Sequence, residues 1–144
     1  MRQIVFLILV ACAIIGAAGC KSSSSPEDEA GLIGTWRATQ AEFLSAADSN
    51  MRVDIVAQGG TLTLLLEAAS FTLTIDEPDA EPDVTTGTWT SSSDTLTLTP
   101  TGASFNVQFD MTRSGNTLTL RGGHVEFDFH GTPEEAILNM VLTR

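Results

Sequence analysis

The stretch GTWTSSSDTLTLTP, residues 87–100, decides the fold class of this chain. Threonine and leucine alternate strictly over residues 95–98, directly after a Ser-rich turn that ends in Asp94. Successive side chains of a β-strand point to opposite faces, whereas a helix repeats its apolar positions every three to four residues. The segment therefore predicts a turn followed by a half-buried strand, with leucine facing the core and threonine facing solvent.

The same alternation extends over most of residues 31–144. The Thr-Leu-Thr-Leu motif recurs at 61–64 and 117–120, so we expect the leucines of all three copies to be buried and the threonines mostly exposed. A period of two also occurs at residues 70–76, 104–111, 124–129 and 137–144. About nine or ten candidate strands, with a turn signal about every 8–14 residues, predict a single antiparallel all-β domain, either a sandwich or a barrel.

Two Gly-Thr-Trp motifs carry a resemblance to a known family. Gly34-Thr35-Trp36 opens the first predicted strand, and Gly87-Thr88-Trp89 recurs in mid-chain before DTLTL. Together with the TLTL repeats, this pattern resembles the lipocalin-like domains of bacterial envelope lipoproteins over residues 31–144. The resemblance implies an up-and-down meander barrel, for which we expect about 8–10 strands.

The resemblance also implies a structural role for Trp36. In lipocalins the tryptophan of the first strand closes the base of the barrel, and an arginine from the last strand packs over it. Arg144 and Arg121 are both candidates for that arginine. The family places a helix before the last strand, which only residues 132–138 could supply, beginning at the possible cap TPEE; residues 41–50 do not clearly favour either helix or strand.

An open barrel interior would form a ligand cavity. Because none of the predicted lining residues is charged, we expect such a cavity to hold a small apolar molecule or a lipid chain. These residues are Trp36, Leu62, Leu64, Phe71, Leu73, Trp89, Leu96, Phe105, Val107, Phe109, Leu118, Phe127 and Leu138. Side chains can equally fill an eight-stranded barrel, so a non-enzymatic envelope scaffold or assembly accessory is the alternative.

The N-terminus predicts a secretory signal peptide over residues 1–19. Arg2 precedes the uncharged apolar run 4–18, whose fifteen residues would rise about 22 Å as a helix, short of the roughly 30 Å of a bilayer core. The stretch AAGC, ending at Cys20, resembles the bacterial lipobox, which implies that Cys20 is acylated, for example with palmitate, after signal cleavage. Cys12 would leave with the signal, so Cys20 would have no intramolecular disulfide partner.

Residues 20–30 predict an acylated cysteine followed by a flexible tether. The stretch KSSSSPEDEA has no apolar residue larger than alanine and cannot bury enough surface to become ordered. Lys21 stands where an aspartate would mark inner-membrane retention, so resemblance to that sorting rule implies the outer membrane of the bacterial cell envelope. With 7 basic and 18 acidic residues, a net charge of −11 excludes nucleic acid as a partner and a domain lying flat on anionic lipid. We therefore expect the acyl chains alone to contact the membrane.

Two polar clusters of the sequence contain residue types that can bind metal ions. On a strand, His124, Glu126, Asp128 and His130 would share one face with neighbours about 7 Å apart, and two of them could hold zinc. Because no second strand carries histidine, a water-facing polar row behind a phenylalanine core is the favoured interpretation. The five acids of residues 76–83 could attract calcium, but two prolines and no glycine favour a solvated loop.

Signatures of catalysis are missing from the sequence. It contains no nucleophile elbow and no phosphate-binding loop. It also offers no Cys–His pair, because Cys20 is expected to be acylated. We therefore expect no enzymatic activity, no cofactor and no metal, and a binding or scaffold role is the functional prediction.

Overall fold

A computed structural model describes residues 26–144, which form one short helix and nine strands. The predicted signal peptide and Cys20 lie outside the described residues. The elements in chain order are α1 (Pro26–Leu32), β1 (Gly34–Ser45), β2 (Arg52–Asp54), β3 (Thr61–Leu66), β4 (Ser70–Asp76), β5 (Asp83–Ser91), β6 (Thr95–Pro100), β7 (Val107–Ser114), β8 (Thr117–Asp128) and β9 (Pro133–Thr143).

Eight of the strands close into an antiparallel barrel. From β3 to β9 each strand pairs with the next one along the chain, and β1 pairs with both β3 and β9 to complete the ring. The three-residue strand β2 pairs with residues 42–44, near the C-terminal end of β1, and forms a short hairpin with it. The predicted all-β meander barrel is confirmed.

The Thr-Leu motifs form the barrel wall as predicted. Their leucines are at most 3% exposed, and they are Leu62, Leu64, Leu96, Leu98, Leu118 and Leu120. The threonines between them lie on the outer face, but all except Thr61 are half-buried, so the expectation that they would be mostly exposed was wrong. They are covered because side chains on adjacent antiparallel strands stand only about 4.5–5.5 Å apart.

The base of the barrel is closed around Trp36. This side chain is fully buried, and its indole Nε1 donates a hydrogen bond of 2.7 Å to the Leu32 carbonyl. Of the two candidate arginines, Arg144 packs over the indole, with its guanidinium carbon 4.6 Å from the ring centroid. Arg144 also donates a hydrogen bond of 3.1 Å to the Ile33 carbonyl. Arg121, by contrast, is on β8 and lies opposite Asp110 of β7.

Helix α1 begins inside the segment that was predicted to be a flexible tether. Residues 26–30 are helical, so this part of the prediction was wrong. The tertiary contacts of Leu32 account for the difference, because its side chain is 2% exposed and its carbonyl accepts the Trp36 bond. Among residues 26–144, no helix is long and apolar enough to cross a membrane.

The chain before β9 does not form the expected helix. Residues 133–143 are a strand, and only the loop 129–132 separates it from β8. Alternate residues of this strand are buried from Ala136 to Leu142, so the extended conformation places its apolar side chains in the core. Because β9 pairs with both β1 and β8, its backbone groups are also hydrogen-bonded. The ambiguous residues 41–50 divide between the end of β1, at Ser45, and the loop that follows it.

Candidate ligand cavity

The two ends of the barrel differ because of the strand directions. The base holds α1 and the short turns 67–69, 92–94 and 115–116. The opposite, open end holds the loops 46–51, 55–60, 77–82, 101–106 and 129–132. The open end therefore has longer connections, which leave room for a cavity between the strands.

A cavity of about 280 Å³ occupies the open half of the interior. Its walls come from seven of the eight barrel strands, all except β3, and are mostly apolar. They are formed by Phe43, Phe71, Leu73, Ile75, Asp83, Thr85, Leu98, Pro100, Phe105, Val107, Phe109, Val125, Glu126 and Leu138. This volume lies just below the roughly 300–1,000 Å³ that is typical of ligand pockets.

The predicted lining residues divide into two groups. Those that line the cavity are Phe71, Leu73, Phe105, Val107, Phe109 and Leu138. Those that are buried in the packed core and do not line it are Trp36, Leu62, Leu64, Trp89, Leu96 and Leu118. Phe127 lines the adjoining groove at the open end. The sequence prediction placed all of these side chains inward but could not separate packed positions from those beside empty space.

Phe105 is the one predicted lining residue that is not on a strand. It is 56% exposed and lies in the loop 101–106, because the β6–β7 ladder ends at the Leu98–Val107 pair. It nevertheless contributes to the cavity wall at the rim. Its expected position on a common inward strand face with Val107 was therefore wrong.

The wall between β7 and β8 is interrupted near the open end. Their pairing stops at Asp110–Arg121, and β8 then shifts its register at a bulge between Leu120 and Gly123. An added Cβ at Gly123 would lie 2.0 Å from the Phe109 ring, so only glycine leaves room for that ring. The bulge thus seats a cavity-lining phenylalanine and opens the wall beside it.

Both Gly-Thr-Trp motifs have a local structural reason. Gly34 has a φ of +137°, which favours glycine, and it leads directly into the buried Trp36. At Gly87 an added Cβ would lie 2.0 Å from the Thr99 carbonyl oxygen of β6. Trp89 donates a 2.7 Å bond to the Glu67 carbonyl, which ties β5 to the β3–β4 turn. These residues shape the base of the barrel and do not line the cavity.

A groove of about 510 Å³ adjoins the cavity at the open end. The rings of Phe43 and Phe127 stack there with centroids 4.1 Å apart, and both lie at its apolar edge. The acids that line the groove come from two distant parts of the chain, and they are Glu77, Glu81, Asp83, Glu126 and Asp128. From the sequence, residues 76–83 were expected to form a solvated acidic loop. In the structure this segment contributes side chains to the groove at the open end.

The histidine-containing segment of β8 does not form a metal cage. His124 Nδ1 lies 2.9 Å from Glu135 Oε1 on β9, and both side chains are about two-thirds exposed. Asp128 accepts backbone hydrogen bonds from His130 and Gly131 in the β8–β9 turn. Within the described range 26–144, no three metal-ligating side chains come together. Glu126 instead lies at the rim of the cavity.

The match to a family model agrees with this architecture. A family model described as a lipocalin-like domain matches residues 32–120. A solved structure that this chain resembles is the crystal structure of an uncharacterized protein from Bacteroides eggerthii DSM 20697. It is 10% identical, with a TM-score of 0.43, over 73% of this chain and 97% of that chain. A comparison with curated proteins gives no match. Because the family model covers more than half of the residues, the chain belongs to the lipocalin-like domain family.

Proposed function

We propose that this protein binds a small apolar molecule in the cavity at the open end of its barrel. The observation that carries the proposal is a space of about 280 Å³ with mostly apolar walls, in a barrel whose other inward side chains are closely packed. Moving an apolar ligand from water into such a space is favourable, because it removes apolar surface from water. At about 30 Å³ per water molecule, the volume equals roughly nine waters and favours a short chain or a small ring system.

Binding rather than catalysis is the function proposed for this cavity. Its polar side chains are Asp83, Thr85 and Glu126, and the described lining contains no serine, cysteine or histidine that could act as a nucleophile or form a nucleophile–base pair. Such a lining can position an apolar ligand and one polar group of it, as in a small-molecule binding site.

We further propose that the protein is a lipoprotein of the bacterial cell envelope, anchored through acyl chains on Cys20 and placed in the outer membrane. The support is the AAGC stretch after the apolar run 4–18, with Lys21 following. Because α1 closes the base, an anchor a few residues before Pro26 would attach the barrel on that side. The open end would then be free to meet ligand from the aqueous phase.

The anchor is tested on the full precursor. We expect membrane fractionation of the wild-type protein and an acylated N-terminal Cys20 by mass spectrometry. Cys20→Ala should leave the precursor unprocessed at this site, whereas Cys12→Ala, the matched control, should be processed normally. A mature protein with a free Cys20 thiol would overturn the lipoprotein proposal.

The binding proposal is tested with the mature chain, residues 20–144, carrying Cys20→Ser so that no acyl group competes. Titration with 1-decanol, an uncharged probe, should give saturable heat of binding and raise the thermal unfolding temperature. Leu73→Phe, which adds volume to the cavity wall, should abolish the binding. Thr74→Phe, on the outer face of the same strand, should leave it intact.

The alternative is a scaffold whose barrel needs no ligand. The observation that favours it is that six of the predicted lining residues are packed in the core instead. If 1-decanol and related neutral apolar molecules neither bind nor stabilise the folded chain, the scaffold function replaces the binding function.

A further inference from the structure

We infer that the ligand of this cavity carries a positive charge on its apolar body, as an alkylammonium does, and that Asp83 and Glu126 determine this specificity. The inference rests on the proposed binding function and names the chemical class of its ligand. It differs from what the apolar lining residues alone suggest, because a lipid chain with a carboxylate head would be repelled.

The positions of Asp83 and Glu126 carry the argument. They are the two charged residues that line the cavity itself, and they come from β5 and β8 on different sides of the barrel. Asp83 is opposite Ile75 in the β4–β5 ladder, in the same alternating row as the cavity residue Thr85. Glu126 lies beside the interrupted wall between β7 and β8.

The side chains of these two acids are without protein partners. Among the described residues, neither carboxylate has a hydrogen bond or an ion pair, whereas Glu42 pairs with Arg52 and Glu135 with His124. Both acids also line the adjoining groove, where Glu77, Glu81 and Asp128 add further negative charge. The opening thus has several carboxylates that no cation of the described chain neutralises.

The basic residues of the described chain lie elsewhere. No arginine of residues 26–144 lines the cavity or the groove. Arg144 covers Trp36 at the base, and the Arg113 guanidinium lies against Gly31 of α1. Arg52 pairs with Glu42, while Arg37 and Arg121 are exposed on the outer faces of β1 and β8. The barrel therefore has a negative open end, which concentrates cations and repels anions.

A bound ligand would meet both environments at once. Its apolar part would occupy the space between Phe71, Val107 and Phe109, and its polar end would stay at the rim beside the carboxylates. An ammonium group there gains from opposite charge, and a carboxylate group loses by like charge. An uncharged head group should lie between them. Because Asp83 and Glu126 are both exposed, salt should weaken both effects.

The test compares three probes of equal chain length, decylamine, 1-decanol and decanoate, by calorimetric titration at pH 7 below their micelle concentrations. We expect decylamine to bind at least about tenfold more tightly than decanoate at low salt, with 1-decanol between them. The ratio should decrease in 0.5 M salt, because the screening length falls from about 10 Å at 0.1 M to about 3 Å at 1 M.

Matched variants assign the effect to the two acids. Asp83→Asn with Glu126→Gln should bring the decylamine-to-decanoate ratio to within about threefold, with 1-decanol binding unchanged. Asp94→Asn with Asp110→Asn removes the same net charge away from the cavity and should leave the ratio as in the wild type. Thermal unfolding of each variant verifies that it is folded.

The outcomes separate this inference from the function on which it rests. Decanoate binding as tightly as decylamine, with 1-decanol also bound, would overturn the charge specificity and leave the binding function intact. A preference for decylamine that survives the Asp83/Glu126 double variant would overturn the assignment to these acids. If none of the three probes binds, the binding function itself fails.

Discussion

The base and the open end of this barrel are built from the same strands, but their side chains differ in burial and in hydrogen bonding. At the base, Trp36 is fully buried, its indole N–H is bonded and Arg144 covers its ring. At the open end, Phe105 is 56% exposed, β7 and β8 separate, and the carboxylates of Asp83 and Glu126 lack partners in the described chain. Stability is thus concentrated at one end, and room for a ligand at the other.

This difference shows how a small barrel can combine stability with a binding site. A side chain that is tightly packed contributes its full burial to folding, whereas one beside empty space contributes less and can exchange contacts with a ligand. Local stability in proteins commonly varies in this way, and binding regions come from the less stable part. Substitutions at the base should therefore lower the free energy of unfolding by more than comparable substitutions at the open end.

The largest effect is expected for Leu118→Ala in the packed core. Leu118 is fully buried, so the change should lower the free energy of unfolding by about 2–5 kcal/mol. Leu73→Ala, beside the cavity, should cost less than about 2 kcal/mol, because Leu73 is already partly exposed. Urea unfolding measures both. Equal losses would contradict the division into a packed and an open half.

A somewhat smaller effect is expected for Gly123→Ala at the β8 bulge. The new methyl group would displace the Phe109 ring and cost about 1–3 kcal/mol. Because that ring lines the cavity, 1-decanol binding should weaken as well. Adding Phe109→Leu should restore part of the stability. If the second change instead adds its own full cost, the contact between Gly123 and Phe109 is not what excludes alanine.

Arg144→Ala should have a moderate effect at the base. It removes the contact over Trp36 and the bond to the Ile33 carbonyl, which together are worth about 0.5–2 kcal/mol. Arg144→Lys should recover part of this loss, because it keeps the cation over the ring. Arg121→Ala is the control and should change unfolding by less than about 0.5 kcal/mol. Similar losses at the two arginines would contradict the assignment of Arg144 to the tryptophan.

The smallest effect is expected for Glu135→Gln near the open end. The His124–Glu135 pair is about two-thirds exposed on both sides, so water screens it and its loss should cost less than about 0.5 kcal/mol. Zinc at a modest excess should not raise the unfolding temperature of either protein. A clear stabilisation by zinc, lost in the variant, would show that the pair forms part of a metal site.

Several features could be read from residues that are close in sequence. The period-two alternation predicted the strands and the burial of the six leucines, because the side-chain direction in a strand depends only on the local backbone. The structural role of Trp36 at the base was instead implied by the family resemblance that the Gly34-Thr35-Trp36 motif carries, and this side chain is fully buried. Apolar alternation in residues 137–144 also indicated a strand, whereas the TPEE cap and the family resemblance allowed a helix over residues 132–138, which the structure instead places mostly in β9.

Other features depended on contacts between distant residues. Arg144 and Arg121 could not be distinguished until ring closure placed the C-terminus beside Trp36. The helical order of residues 26–30 depends on the burial of Leu32 against the barrel. Phe105 left the inward row because the β6–β7 ladder ends before it. None of these follows from a local pattern.

By itself, the sequence determined the strand pattern, the faces of the strands and the family of the fold, since these follow from alternation along the chain. The tertiary structure alone decided which inward side chains pack together and which border the cavity. It also brought Asp83 and Glu126 to the same opening, although more than forty residues separate them. The physical reason is that barrel closure and the β8 bulge, not local propensity, set the distances across the interior.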